Sequence, residues 1–150
     1  MSPTVLIVDD EPAVRQALQR ALRGEPYRLL EADSAKQALA LLQDETVDIL
    51  LCDHHMPGQT GLQLCEALQE RNPTLVRILM TGAGDAGLVG EAVERETVYH
   101  CLQKPWESGE LRLLLRLALR HRADLRELER LRQLTRAQRR IIMELESARS

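Results

Sequence analysis

Five polar side chains follow apolar runs in this chain, and together they could carry out phosphoryl transfer. They are Asp9, Asp10, Asp53, Thr81 and Lys104. Three carboxylates that lie close together repel one another and require a positive counter-charge. A hard divalent cation prefers oxygen ligands, and Mg²⁺ suits a site that keeps waters and adds a phosphate. An aspartate can then attack phosphorus, while the cation, an ammonium and a hydroxyl stabilise the phosphoryl oxygens.

This chemistry requires a fold that brings the five side chains together, and the apolar pattern predicts one. Short apolar runs of the kind found in buried parallel strands alternate with segments of helical periodicity. Crossover helices between parallel strands cover both faces of a sheet, so we predict an α/β fold with a doubly wound, five-stranded parallel sheet. In such sheets ligands bind beyond the carboxyl ends of the strands. The predicted strands are Val5–Val8, Tyr27–Ala32, Val47–Cys52, Leu75–Met80 and Val98–Gln103.

Helix signals lie between these strands. Ser34 and Gln37 form a capping-box pattern that opens the second helix. The fourth helix, at about 88–95, is weak because Gly87 and Gly90 each cost it roughly 1 kcal/mol relative to alanine. From about Glu107 to the C-terminus the sequence predicts one long helix.

The charge distribution divides the chain into two parts. Residues 1–119 hold 18 Asp and Glu against 11 Lys and Arg, whereas residues 120–150 hold 5 acids against 9 Arg. We therefore predict an acidic domain over residues 1–119 and a basic helical extension over residues 120–150.

Four short motifs stand in order at the ends of the predicted strands, and they resemble the response-regulator receiver family over about residues 4–119. They are Val8-Asp9-Asp10-Glu11, Asp53-His54-His55-Met56-Pro57-Gly58, Thr81-Gly82 and Lys104-Pro105. Each motif is short, but the combination is specific. The resemblance implies the flavodoxin-like (βα)5 receiver fold, with a long C-terminal helix added here.

The resemblance also implies a role for each residue. Asp53 would accept the phosphoryl group from a sensor histidine kinase or a small phosphodonor. Asp10, Asp53 and the backbone carbonyl of His55 would bind Mg²⁺ (or Mn²⁺) directly, and Asp9 would act largely through water. Thr81 would bind a phosphoryl oxygen.

Other features of the family concern the fifth strand. Lys104 would pair with the phosphate or with Asp53, and the Lys104-Pro105 peptide is expected to be cis. Trp106 places the chain near a Lys-Pro-Trp subset of receivers. Most receivers have Tyr or Phe three residues before the lysine, whereas this chain has Cys101. Phosphorylation is expected to switch residues 81–103 and the C-terminal helix without the usual aromatic read-out.

Simpler interpretations exist for several of these residues. Asp9 and Asp10 could merely cap the first helix, since acids favour a helix start. Cys52, His54 and His55 look like metal ligands, but alternation along a strand sends neighbouring side chains to opposite faces. We therefore expect that these three do not share a metal and that the histidines border the phosphorylation site.

The basic extension is expected to be a coiled coil and not a nucleic-acid contact, because acids are interspersed and aromatic residues are absent. One heptad frame contains Leu114, Leu117, Leu128, Leu131, Ile142 and Leu145, and His121, Asp124, Thr135 and Gln138 interrupt it. We predict a parallel homodimer through this helix. Folding back on the receiver is the alternative.

Two other functions compete with this interpretation. One is an aspartate-nucleophile phosphohydrolase, which requires a second acid two residues after its nucleophile; His55 occupies that position after Asp53. The other is a coiled-coil scaffold that is never phosphorylated. We expect no enzyme activity beyond the domain's own phosphorylation and dephosphorylation, and the chain could act alone or with an output domain outside this sequence.

Two features bear on location. No apolar run approaches the roughly 18 residues that a membrane helix needs, and the N-terminus has no signal-peptide pattern. Three cysteines without metal-ligand spacing are consistent with a reducing compartment. We therefore expect a cytoplasmic protein with no membrane partner.

Overall fold

The structure, a computed structural model, describes residues 2–149. Five parallel strands form one sheet in the order β2-β1-β3-β4-β5. All residues of β1, β3 and β4 are buried, as expected for strands that helices cover on both faces. The strands are β1 (Thr4–Val8), β2 (Arg28–Ala32), β3 (Ile49–Asp53), β4 (Val76–Thr81) and β5 (His100–Gln103).

Five helices follow the strands in turn, and a short 3₁₀ segment, Ala83–Asp85, precedes the fourth. Ser34 caps α2 by accepting a hydrogen bond from the Gln37 amide, and Thr60 with Gln63 forms a complete capping box at α3. The helices are α1 (Pro12–Ala21), α2 (Ala35–Asp44), α3 (Gly61–Arg71), α4 (Ala86–Glu94) and α5 (Ser108–Arg149).

Side chains that alternate along the strands build two apolar cores, one on each face of the sheet. Leu6, Leu50 and Leu79 face α2, α3 and α4, whereas Ile7, Leu51 and Ile78 face α1 and α5. This two-sided packing confirms the predicted doubly wound sheet and the long C-terminal helix.

The long helix α5 is anchored to the receiver body beyond residue 119. Arg122 is buried and pairs with Asp48 at 2.8 Å, and Asp48 also accepts a hydrogen bond from the Thr4 amide. Leu125 packs against the core on the α1–α5 face of the sheet. From Glu129 to Arg149 nearly all residues are exposed, so this part of α5 projects away without folding back on the receiver.

Candidate phosphoacceptor site

The sheet brings the predicted site residues to one edge. Asp53 and Thr81 are the last residues of β3 and β4, while Asp9 and Lys104 directly follow β1 and β5. β1, β3 and β4 are neighbours, and β5 lies beside β4. Parallel pairing therefore places the carboxyl ends of these four strands side by side.

The acidic groups at this edge form a compact cluster. Carboxylate oxygens of Asp9, Asp10 and Asp53 lie within 4.8 Å of one another. The Lys104 ammonium lies 3.1 Å from Asp53 Oδ1 and 3.3 Å from Asp9 Oδ2. One lysine thus pairs with two carboxylates, and the cluster keeps an excess of negative charge.

Burial differs among the groups of this cluster and contributes to the pKa values of Asp9 and Lys104. Asp9 is fully buried and Asp53 is 5% exposed, whereas Asp10 is exposed. Desolvation raises the pKa of Asp9 above its ordinary value, although a hydrogen bond from the Glu11 amide and the charge of Lys104 oppose this. For Lys104, burial favours the neutral amine, but contacts with Asp53 and Asp9 outweigh it, so the pKa is raised and the ammonium persists.

Helix capping does not account for Asp9 and Asp10. The N-cap residue of α1 is Glu11, whose side chain makes no capping hydrogen bond. Asp9 Oδ1 accepts a hydrogen bond from the Glu11 amide at 2.9 Å, while its other oxygen contacts Lys104. Asp9 therefore connects the start of α1 to the acidic cluster.

Backbone contacts position the remaining site residues. The amide of Lys104 donates to the carbonyl of Thr81 at 2.8 Å, and the amide of His54 donates to the carbonyl of Met80 at 3.0 Å. Thr81 is buried. The Lys104-Pro105 peptide is cis, which confirms the expectation for this bond.

The donor set at the acidic cluster fits a hard divalent cation. Asp9, Asp10 and Asp53 offer only oxygen atoms, and Asp10 is open to solvent, which leaves room for metal-bound water. Mg²⁺ prefers one or two carboxylates together with waters and phosphate oxygens. A cation here would add the positive charge that Lys104 alone does not supply.

The expectation that His54 and His55 point to opposite faces was wrong. Strand β3 ends at Asp53, so strand alternation does not extend to the two histidines. Their ring centroids lie 4.9 Å apart, and His55 Nε2 lies 2.9 Å from Asp85 Oδ2. Cys52 does point elsewhere, into the core on the α2–α4 face of the sheet.

Asp85 is a neighbour of the site that sequence reasoning missed. Its carboxylate accepts a hydrogen bond from the Gly82 amide at 2.8 Å, and this bond lowers the pKa of Asp85, with a further contribution from His55. The contact joins the loop after Asp53 to the loop after Thr81. No sequence motif linked residues 55 and 85; only the fold brings them together.

Gly61 is a second residue that sequence reasoning missed. It is the first residue of α3, and its amide donates to the carbonyl of His54 at 3.0 Å. A Cβ atom at this position would overlap the backbone carbonyl oxygen of Asp53. The signal was a glycine directly after the Thr60 cap, where a helix does not ordinarily need one.

Cys101 occupies the position at which the family ordinarily has an aromatic ring. It is half-buried and packs against the core on the face that carries α2, α3 and α4. Burial raises the pKa of its thiol to about 11. The side chain is therefore a small, protonated apolar group at neutral pH.

A doubly wound parallel sheet with an acidic cluster and a lysine at its carboxyl edge defines the class of receiver domains. The family model of the response regulator receiver domain matches residues 5–116. The chain belongs to this family and is a receiver domain of the two-component signalling type. This confirms the resemblance; membership of the Lys-Pro-Trp subset stays a prediction.

Proteins similar to this chain include regulators of transcription. The chain is 40% identical over 108 residues to the hydrogenase transcriptional regulatory protein HoxA of Cupriavidus necator, covering 72% of this chain and 22% of that protein. It is 33% identical over 117 residues to the DNA-binding transcriptional regulator NtrC of Salmonella typhimurium, covering 78% of this chain and 25% of that protein. The chain thus spans about a quarter of the length of these relatives.

Solved structures show the same fold. The signal receiver domain of an HD domain-containing protein from Pseudomonas fluorescens Pf-5 is 38% identical, with a TM-score of 0.78, and the match covers 84% of this chain and 93% of that one. The receiver domain of NtrX from Brucella abortus is 27% identical, with a TM-score of 0.72, over 77% of this chain and 98% of that one. Within residues 2–149, no helix is long and apolar enough to cross a membrane.

Proposed function

We propose that Asp53 is the phosphoacceptor of this receiver domain. The observation that carries the proposal is the cluster at the sheet edge, where oxygens of Asp9, Asp10 and Asp53 lie within 4.8 Å and Lys104 lies 3.1 Å from Asp53. A carboxylate oxygen of Asp53 attacks phosphorus, a new O–P bond forms, and the bond from phosphorus to the donor's leaving group breaks.

The chain's own groups then receive the transferred phosphoryl group. The Lys104 ammonium, which already contacts Asp53, binds a phosphoryl oxygen and offsets its negative charge. The hydroxyl of Thr81, at the end of the adjacent strand, hydrogen-bonds another. Movement of Thr81 towards the new charge alters residues 81–103, and from β5 the change reaches α5 through the shared core of Leu102 and Leu111.

Asp10, Asp53 and the backbone carbonyl of His55 would hold Mg²⁺ or Mn²⁺ directly, with Asp9 contributing through water. When bound, this cation supplies charge stabilisation for the phosphoryl oxygens. The exposed position of Asp10 and the absence of nitrogen or sulfur donors in the trio support the choice of a hard cation.

Intact-mass measurement after incubation with acetyl phosphate and Mg²⁺ tests the proposal. We expect one added phosphoryl group in the wild-type chain and none in Asp53→Asn or after EDTA. Asp44→Asn is a matched control, because Asp44 is an exposed aspartate at the end of α2, away from the acidic cluster. Undiminished labelling of Asp53→Asn would refute the assignment.

The same sample separates a receiver from the two competing functions. A phosphohydrolase would release many equivalents of phosphate per chain from a phosphomonoester, whereas a receiver should release phosphate from its own aspartyl phosphate only. A scaffold that is never phosphorylated would show no mass increase. His55, two residues after Asp53, turns its ring to Asp85 and does not supply the second acid that the phosphohydrolase needs.

The partners that we propose are a sensor histidine kinase as phosphodonor and a second copy of the chain along α5. Between Leu128 and Leu145, α5 exposes an apolar stripe that the receiver does not cover. The relatives are longer than this chain, so an output domain attached to α5 is proposed as well. The predicted cytoplasmic location stays a prediction.

A further inference from the structure

A second group of metal-ligating side chains lies beside the phosphoacceptor site, and it has different chemistry. One donor atom each from His54, His55 and Asp85 lies within 4.8 Å of the others. Imidazole nitrogens together with one carboxylate suit transition metals of the zinc class, whereas oxygen-only sets suit Mg²⁺. The two neighbouring clusters should therefore select different cations.

An ordinary His–Asp hydrogen bond explains only part of this arrangement. His55 Nε2 lies 2.9 and 3.1 Å from the two Asp85 oxygens, so this nitrogen has hydrogen-bond contacts with the Asp85 carboxylate. His54, however, turns its ring towards His55, and its buried Nδ1 atom has no hydrogen-bond partner among the described residues. Such buried nitrogens are normally satisfied, so His54 is better explained as one of three ligands than as a bystander.

We propose that His54, His55 and Asp85 form a site for a transition metal of the zinc class, with a fourth position open to water. Bond lengths of about 2.0–2.2 Å in tetrahedral geometry place donors roughly 3.3–3.5 Å apart. The His55–Asp85 pair, at 2.9 and 3.1 Å, is already slightly closer than that spacing, and the other pairs must close by at most about 1.5 Å from the 4.8 Å limit.

The three residues of the proposed site lie on two loops outside the regular strands. His54 and His55 lie in the loop between β3 and α3, and Asp85 ends the 3₁₀ segment between β4 and α4. The His54 backbone is held by hydrogen bonds of its amide to the Met80 carbonyl and of its carbonyl to the Gly61 amide, so the closing movement comes from rotation of the side chains. A bound metal ties the loop that follows Asp53 to the loop that follows Thr81, and so restrains the two segments that the proposed switch moves.

Cobalt binding to the full chain tests this site. Co²⁺ replaces zinc and gives visible absorption bands in a tetrahedral nitrogen and oxygen environment. The titration is run in excess Mg²⁺, so that the oxygen-only cluster is occupied. We expect one Co²⁺ per chain, displaced by one equivalent of Zn²⁺. His54→Ala, His55→Ala and Asp85→Asn should each weaken binding by at least the roughly 10–100-fold that loss of an outer-shell partner costs.

Two controls distinguish this site from other metal sites. His100→Ala removes an exposed histidine of β5 and should leave Co²⁺ affinity unchanged. Asp53→Asn alters the phosphoacceptor and should also retain Co²⁺. The cobalt titration therefore tests the His–His–Asp site independently of whether Asp53 is phosphorylated. Asp85→Asn keeps an oxygen acceptor for the Gly82 amide, and circular dichroism checks that each variant is folded.

The absence of absorption bands in the wild-type chain would overturn the proposal. So would binding that survives all three ligand substitutions. Bands that disappear in Asp10→Asn but persist in His54→Ala would place the cobalt in the acidic cluster and would equally refute the His–His–Asp site.

Discussion

At the scale of single residues, Gly61 positions the backbone of the proposed phosphoacceptor because it has no side chain. A Cβ atom there would overlap the Asp53 carbonyl oxygen and lie 2.8 Å from Leu79 Cδ1. Asp53 cannot retreat easily, since it ends a strand paired with β4. A glycine is therefore required at this position because α3 and β3 approach each other closely, and not because the backbone makes a turn.

We predict that Gly61→Ala lowers the free energy of unfolding by about 1–3 kcal/mol, the usual cost of an overpacked core. It should also slow phosphorylation by acetyl phosphate, because Asp53 must shift. Urea unfolding and intact mass measure the two effects. Gly109→Ala, where the new Cβ meets nothing within 4 Å, is the control; it should leave phosphorylation unchanged and should not lower the free energy of unfolding. Equal behaviour of the two variants would contradict the steric explanation.

Cys101 permits a second prediction at this scale. A small thiol cannot fill or vacate the space of an aromatic ring, so the switch should not run through position 101. We expect Cys101→Ala to keep the phosphorylation-dependent changes of Thr81 and residues 82–90. These changes can be followed by NMR or by hydrogen exchange with and without phosphodonor.

Thr81→Ala is the comparison for that experiment, because the proposed hydroxyl contact with the phosphoryl group is removed directly. It should lose the changes while Cys101→Ala retains them. If folded Cys101→Ala loses them as well, Cys101 is itself part of the relay.

At the scale of elements, α4 is the helix that its own sequence stabilises least. Gly87 and Gly90 both lie within Ala86–Glu94, and the space around each is open. We predict that Gly90→Ala stabilises α4 by about 0.5–1 kcal/mol, since alanine loses less backbone freedom than glycine. Hydrogen exchange of the α4 amides should slow accordingly.

Gly24→Ala is the matched comparison, because the space at Gly24 is also open but its φ is +88°. A left-handed conformation costs a side chain about 1–2 kcal/mol, so this variant should be less stable than the wild-type chain. Two substitutions of the same type should therefore change stability in opposite directions. Destabilisation by Gly90→Ala would show that α4 needs glycine for another reason.

Most of the elements could be predicted from the sequence, because apolar runs and helical repeats report burial directly. All five strands occur within two residues of their expected positions, and the cluster of Asp9, Asp10, Asp53 and Lys104 followed from the strand ends alone. Loop conformations were not accessible in this way. The period-two pattern ends with β3, so the orientation of the His55 ring depends on its contact with Asp85, thirty residues further along the chain.

The same limit applies to interior polar groups. Buried Arg77 donates hydrogen bonds to carbonyls of Thr97, Leu75, Asn72 and Glu96, and burial lowers its pKa. In the sequence Arg77 is only a charge within an apolar run. Its carbonyl partners come from turns that only the folded chain brings together.

At the scale of the whole molecule, the projecting half of α5 determines the assembly. Leu114 of the heptad frame is buried in the receiver core and Leu117 is 42% exposed, and the apolar stripe that projects beyond the receiver begins near Leu128. Thr135 interrupts this stripe, but its hydroxyl donates to the Leu131 carbonyl at 3.0 Å, which reduces the cost of burying it. The exposed apolar residues beyond the receiver are Leu128, Leu131, Leu134, Ile141, Ile142, Met143 and Leu145.

The energetics favour a dimer of these helices. Leu131 is 48% and Ile142 is 54% exposed, so covering each gains about half of the value for a fully exposed side chain, or roughly 0.8–1.5 kcal/mol. Both copies contribute such residues, so the summed free energy of burial is comparable with the roughly 4–15 kcal/mol that association costs. We predict that the full chain sediments as a dimer at micromolar concentration.

A chain that ends at Arg126 should be monomeric, and it keeps the Arg122–Asp48 pair and Leu125 that anchor α5. Leu131→Asp and Ile142→Asp should each dissociate the full-length dimer. Leu113→Asp is the control, since Leu113 is exposed on the part of α5 that covers the receiver. A monomeric wild-type chain would refute the dimer, and dissociation by Leu113→Asp would place the interface on the receiver instead.

The direction of the two helices can be tested with a cysteine near the end of the stripe. In a parallel dimer, Leu145→Cys brings two identical thiols close together, so oxidation should link the copies by a disulfide. In an antiparallel dimer centred on the stripe near residue 137, the same thiols lie about 24 Å apart at 1.5 Å per residue and cannot join. The wild-type chain controls for its three native thiols, of which Cys52 and Cys65 are buried and Cys101 is half-buried. We expect a disulfide in Leu145→Cys only. Parallel helices would place the two receivers side by side at one end of the coiled coil, so that phosphorylation of both receivers can act on the same helix–helix interface.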